Sequence, residues 1–126
     1  MVRVAGAAVG GIVIWVAVAS LLNLAMRMSW PAYALVEKTY AWSLSMQLAR
    51  LTIGALSSLA AGYVAARIAN GSRAPLITGV VLLLLSLPSH IIHFDKMPLW
   101  YHAAFLLTLI PLVVLGARFS IRQTEA

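Results

Sequence analysis

Apolar residues fall into four long blocks along this chain, separated by short polar breaks. The first block runs from Val4 to Met26, between Arg3 and Arg27. As a helix it would rise roughly 34 Å, enough to cross the hydrocarbon core of a bilayer. The pattern predicts a helix over 4–28, ended at Ser29-Trp30-Pro31, because proline cannot continue the hydrogen-bond ladder. Residues 31–41 mix Tyr33, Leu35, Val36 and Tyr40 with Glu37 and Lys38, as expected of a loop or short helix lying in the membrane interface. The second predicted span covers 42–68, the third 74–94 and the fourth 98–118. Asn70-Gly71-Ser72 is a turn signature, and Asp95-Lys96-Met97-Pro98 makes a tight hairpin. Pro75 and Pro98 stand in first-turn positions, where proline is tolerated. Pro88 and Pro111 predict kinks. The fold class is all-α: an integral membrane protein with four transmembrane helices in an up-down bundle, forming a single domain over 1–126.

The second span is the expected centre of the bundle. Gln47, Arg50, Gly54, Ser57, Ala61 and Val64 recur at helical steps and share a face. Beside it Gly54, Ser58, Gly62 and Ala66 form a small-xxx-small row, which lets another helix approach closely. Leu44, Leu48, Leu51 and Leu59 fall on other faces and should meet lipid or partner helices. In the first span Gly6, Gly10, Val13 and Ala17 follow helical spacing, and Gly6 and Gly10 form a GxxxG packing candidate. Arg3 and Ala17-Val18-Ala19 also fit a signal peptide. The apolar run nevertheless continues through Leu21, Leu22 and Leu24 with no polar region, so a retained span is expected. The centre of the third span, VVLLLLSL, is the expected lipid-facing surface.

Composition supports the membrane assignment. Of 126 residues, 63% are hydrophobic and 10% charged, whereas a soluble domain is nearer half apolar and a quarter charged. The absence of cysteine excludes disulfides, thiolate metal sites and iron–sulfur clusters, and with them the thiol-oxidising four-helix enzymes of bacterial membranes. The net charge of +6 would suggest nucleic acid in a soluble protein. Here the basic residues stand singly at the ends of apolar runs, so lipid headgroups are the expected partner and nucleic acid is not. Arg3, Arg67, Arg73, Arg118 and Arg122 gather on the side of the termini, against Arg27, Lys38 and Lys96 on the other, with Arg50 added if it reaches out. The positive-inside rule then predicts both termini in the cytoplasm of a multi-pass inner-membrane protein. Trp30, Tyr33, Tyr40, Trp42, Trp100 and Tyr101 all fall at the opposite interface, as an aromatic belt or as the rim of a shallow site.

Two groups of residues carry candidate chemistry. Arg50 lies roughly 12 Å into its helix, on the packed face beside Gln47. A central arginine costs about 2.5–3.5 kcal/mol to insert, less if it reaches toward the interface. Asn23, Glu37, Asp95 or a histidine could pair with it. Such an arginine makes either an anion or headgroup site, or a tie between the second helix and a loop carboxylate. His90, His93 and His102 bracket the second hairpin, with His90 and His93 on one helix face. Three imidazoles and Asp95 could hold a zinc-like ion, and two facing histidines could ligate haem. Histidines near an interface are also commonly amphipathic packing residues, no strict metal-binding spacing is present, and no cofactor is predicted.

No acidic residue lies inside a span, which separates the chain from small multidrug exporters. The Asn-bearing glycine motif and Thr-Phe-Ser segment of small fluoride channels are missing too. No catalytic triad or carboxylate pair shares a plausible site, so catalysis is not expected. The stretches WPAYALVEKTYAWSLSMQLARLTIGALSSLAAGYVAARI and MPLWYH resemble small uncharacterised four-helix bacterial inner-membrane proteins, a group without an assigned activity. That resemblance implies the topology and a bacterial inner membrane, and it transfers no functional residue. Three functions fit the sequence. The first expectation is a non-enzymatic accessory, assembly or self-associating subunit, with a homo-oligomer or another membrane protein as partner. The second is a small-solute, ion or proton-handling protein using Arg50 and the histidines. The third is a haem- or metal-binding redox subunit.

Overall fold

The structure is a computed structural model that describes residues 2–71 and 73–125, with side chains to residue 120. Ser72 of the predicted turn, and the side chain of Arg122, lie outside the described residues. All regular structure among the described residues is helical: α1 (Val2–Ser29), α2 (Pro31–Val36), α3 (Leu44–Ala69), α4 (Arg73–Ile92) and α5 (Leu99–Glu125), with a 3-10 turn at Phe94–Lys96. Four of the helices are long and apolar enough to cross a membrane. The protein is a multi-pass, all-α membrane protein.

Local chemistry sets the helix ends. The α3 helix starts at Leu44 rather than Trp42, because the Ser43 hydroxyl accepts a hydrogen bond from the Met46 amide (3.3 Å) and caps it. Asn70 ends it in the left-handed region at φ 53°, its N–H returning to the Ala66 carbonyl, a conformation asparagine tolerates. Pro31 opens α2. Pro88 and Pro111 sit inside α4 and α5.

The α3 helix packs most extensively against α1 and α5. Its small row makes the contact. Gly54, Ser57, Ser58, Ala61, Gly62, Ala65 and Ala66 are all buried. The hydroxyls of Ser57 and Ser58 bond back to the Ile53 and Gly54 carbonyls (2.7 Å each), so they enter the core with their polarity met. A Cβ on Gly62 would run into the Val113 carbonyl, and one on Gly116 into the Leu59 carbonyl. Only hydrogen fits there. The α3 and α5 backbones therefore lie in direct contact at this end.

The first helix turns a different face inward from the one its GxxxG suggested. Ala7, Ala8 and Gly11 are buried, whereas Gly6 and Val13 are exposed. Gly10 meets Ile68, and a Cβ on Gly11 would lie 2.8 Å from a Thr78 methyl. A single-helix pattern could not show that α1 must serve α3 and α4 together, which rotates the contact toward Gly11. In α4, Leu84 and Leu85 face outward as expected, but Leu82 is buried against Ala61, Leu109 and Val113.

Candidate functional site

The chain reverses at Pro31, and this lays α2 back over the end of α1. The reversal brings Tyr33 down onto Asn23, whose Oδ1 accepts from the tyrosine hydroxyl at 2.7 Å. Arg50 arrives from α3 and donates through Nη1 to the same Asn23 oxygen (3.1 Å) and to the Tyr33 oxygen (2.5 Å). The Trp42 ring lies against the guanidinium, with Cζ 4.2 Å from the ring centroid. Tyr101 of α5 presents its hydroxyl beside it. Tyr33, Trp42 and Tyr101 are buried with Met26, Met46 and Met97. The aromatics therefore depart from a simple interfacial belt. Three of the six roof the bundle over Arg50, while Trp100 alone of the tryptophans stays 41% exposed.

Arg50 makes no ion pair among the described residues. Glu37 is bound instead by Arg27, with Nε–Oε1 at 2.7 Å and Nη2–Oε2 at 3.0 Å, and it accepts from Asn23 Nδ2 at 2.5 Å. The hydrogen bond from Arg27 and that from Asn23 hold its carboxyl below the usual range, against the opposing effect of burial. Asn23 thus joins two layers, giving an oxygen to Arg50 and an N–H to Glu37. Burial pushes the Tyr33 hydroxyl up, against the pull of Arg50, so it remains a neutral donor. Two buried N–H donors in this cluster have no partner among the described residues: Arg50 Nε and Trp42 Nε1.

Arg50 borders three cavities. One, of about 80 Å³, runs inward past Asn23, Trp15 and Phe105. A second, of about 230 Å³, lies between Arg50, Trp42, Tyr101, Ser86, Ser89 and His90. A third, of about 320 Å³, opens among Arg27, Glu37, Lys38 and Tyr40. Its charged lining is Arg27, Lys38 and Arg50 against Glu37, a net positive wall. Tyr40 lines two of these cavities with its backbone at φ 61°, which is unusual for a bulky residue. Its ring is stacked on His93, 4.2 Å between centroids, and this contact secures the turn.

The histidines divide. His90 and His102 meet across α4 and α5, Nδ1 to Nδ1 at 2.7 Å. His93 is engaged elsewhere, bonded through Nδ1 to the Ser89 carbonyl (2.9 Å) and stacked on Tyr40. The candidate three-histidine set is therefore split, since His93 sits one turn on at the helix end where Tyr40 holds it. Among the described residues no group of three or more His, Asp or Glu side chains is placed to share a metal ion. Asp95 stands exposed on the 3-10 turn, away from Arg50. Gln47 is buried but serves the helix start, donating to the Trp42 carbonyl at 3.3 Å. Gly54 packs on Phe105, and Ser58 accepts from Trp15 Nε1 at 3.1 Å.

Of the predicted ligand set, the structure thus joins Arg50, Asn23 and Glu37 in one network and leaves Gln47 and Asp95 out of it. Tyr33, Trp42 and Tyr101 complete the site and were not singled out as ligands by sequence. Their one signal was the aromatic clustering at this end of the chain. In comparisons with known proteins, no family model, curated protein or solved structure matched the chain.

Proposed function

We propose that this chain is a non-enzymatic protein of the bacterial inner membrane, with both termini in the cytoplasm, that binds an anionic group at Arg50 on the periplasmic side. One observation carries the reading. Arg50 is a part-buried cation that forms no ion pair among the described residues, and it borders three cavities. Taking a charge out of water is costly, and a cation kept in a span generally faces a partner or a polar pathway. Asn23, Tyr33 and Trp42 orient the guanidinium but do not neutralise it, and Glu37, which feels its charge across the same cavity, is bound by Arg27. A bound anion would do so. The orientation rests on the arginine bias, and the bacterial setting on the resemblance in sequence.

The self-associating or accessory subunit ranks second. Its main support was the small-residue row, and Gly54, Ser58 and Gly62 are occupied by contacts within the chain. The test is anion retention in lipid nanodiscs, comparing wild type with Arg50→Leu. Anionic lipid or added anion should bind to wild type and be lost from the variant. Equal retention by a folded Arg50→Leu variant would overturn the reading.

A further inference from the structure

The cavity between Arg50 and His90 has two unlike walls. On one side stands the guanidinium, with Trp42 and Tyr101. On the other stands His90, whose hydrogen-bonding state follows from its neighbours. His102 Nε2 lies 3.3 Å from the Phe94 carbonyl oxygen. A carbonyl can only accept, so this nitrogen carries the proton. In neutral His102, Nδ1 is then an acceptor. Its contact with His90 Nδ1 at 2.7 Å requires His90 Nδ1 to be the donor. In neutral His90, whose hydrogen bond among the described residues is made through Nδ1, Nε2 is consequently left with a bare lone pair. A backbone carbonyl on the hairpin thus fixes, through two rings, a hydrogen-bond acceptor on a residue lining the cavity.

We infer that this cavity selects an oxyanion that still carries a proton, the chemistry of free hydrogen phosphate or of a singly ionised phosphate monoester, with Arg50 on its charge and His90 Nε2 accepting its O–H. The inference rests on the anion reading of Arg50 and adds to it the class of anion. A fully deprotonated anion such as sulfate, or a phosphate diester, offers only acceptors and would place a lone pair against a lone pair at His90. The same geometry therefore attracts one kind of oxyanion and repels another of equal size. Ser86 and Ser89 line the same cavity.

The test uses two matched pairs of probes on the whole protein near neutral pH. For free anions, inorganic phosphate and sulfate are titrated into protein in an uncharged detergent, followed by calorimetry. For lipids, neutral nanodiscs doped with phosphatidic acid or with phosphatidylmethanol, a diester whose headgroup has no hydroxyl, are compared by native mass spectrometry. In whichever arm binds, the proton-bearing member should be preferred by about tenfold, as a hydrogen bond to a charged group supplies. That arm identifies the source, soluble anion or headgroup. His90→Ala should retain binding of sulfate or phosphatidylmethanol and lose the preference. His102→Phe, which frees the His90 tautomer, should weaken the preference and serves as the second variant. Equal binding of both members to wild type overturns this inference and leaves Arg50 as an anion site. Preference retained in a folded His90→Ala does the same. Binding of neither member in either arm overturns the Arg50 reading itself. The wild-type comparison needs no variant, so a misfolded mutant does not remove the test.

Discussion

The two ends of α3 solve the same packing problem in opposite ways. At the Gly62 end, hydrogen replaces side chains and the backbones of α3 and α5 touch. At the Arg50 end, Trp42, Tyr33, Tyr101 and the guanidinium fill the space between helices, and three cavities remain around them. Close backbone contact leaves no room for a guest and supplies dispersion along the whole interface. Large polar and aromatic side chains hold the helices apart and cannot tile the gap completely. One helix therefore supplies both the seam that holds the bundle and the wall of a site. A stabilising region and a binding region need different residue volumes, and here they are separated along the helix axis.

Breaking the seam should have the largest effect. Gly62→Ala puts a methyl into the Val113 carbonyl, and neither backbone can give way without separating the helices. The expected loss is about 3 kcal/mol, the upper range of overpacking, read by denaturant titration in detergent. Tolerance of alanine would mean the two backbones are not in contact. Tyr33→Phe acts at the other end and should cost less. It removes a donor to Asn23 and an acceptor from Arg50, but Asn23 still holds Nη1. About 1–2 kcal/mol is expected in the same titration. A cost equal to that of Gly62→Ala would make the Arg50 end a second seam rather than an adaptable site.

This contrast also explains what sequence could and could not reveal. The spans and the α3 small face were legible because they depend on periodicity within one helix. Gly54, Ser57, Ser58, Ala61 and Gly62 are buried as that face requires. The α1 face was not legible, because Gly6 and Gly11 are both small and only the joint demand of α3 and α4 decides between them. Arg50 was legible as an anomaly, a charge within an apolar span. Its partners were legible only in part. Asn23 and Glu37 were available polar groups, but Tyr33 reaches them through the reversal at Pro31, which no spacing rule encodes. The division of the histidines depends on Tyr40 reaching His93 from a distant turn.

A smaller effect should follow pH at the mouth of the site. The Glu37 carboxyl is held below its ordinary value of 4.5, chiefly by the hydrogen bond from Arg27. The folded state therefore favours the ionised form. Its contribution is complete above the ordinary value and is lost as pH falls through the lower folded value. Thermal melts taken from about pH 6 to about pH 3 should decline over that interval, and Glu37→Gln should flatten the decline. The size will be modest because the Arg27 side of the pair is 45% exposed and water screens it. An unchanged decline in the variant would assign the acid sensitivity to other groups.

The smallest expected effect has the opposite sign and tests whether α1 has a second partner. Nothing lies within 4 Å of where a Cβ on Gly6 would stand. Within one chain Gly6→Ala should therefore stabilise by about half a kcal/mol, since glycine lowers helix stability relative to alanine and no neighbour is crowded. Gly62→Ala and Gly6→Ala are the same chemical change on two helices, and their signs should differ because only one glycine has a backbone against it. If Gly6→Ala instead destabilises, or lowers the molecular mass in detergent measured by light scattering, the exposed face of α1 is packed against another chain. The self-associating reading would then regain, at Gly6, the small-residue contact that the interior of the bundle takes from Gly54, Ser58 and Gly62.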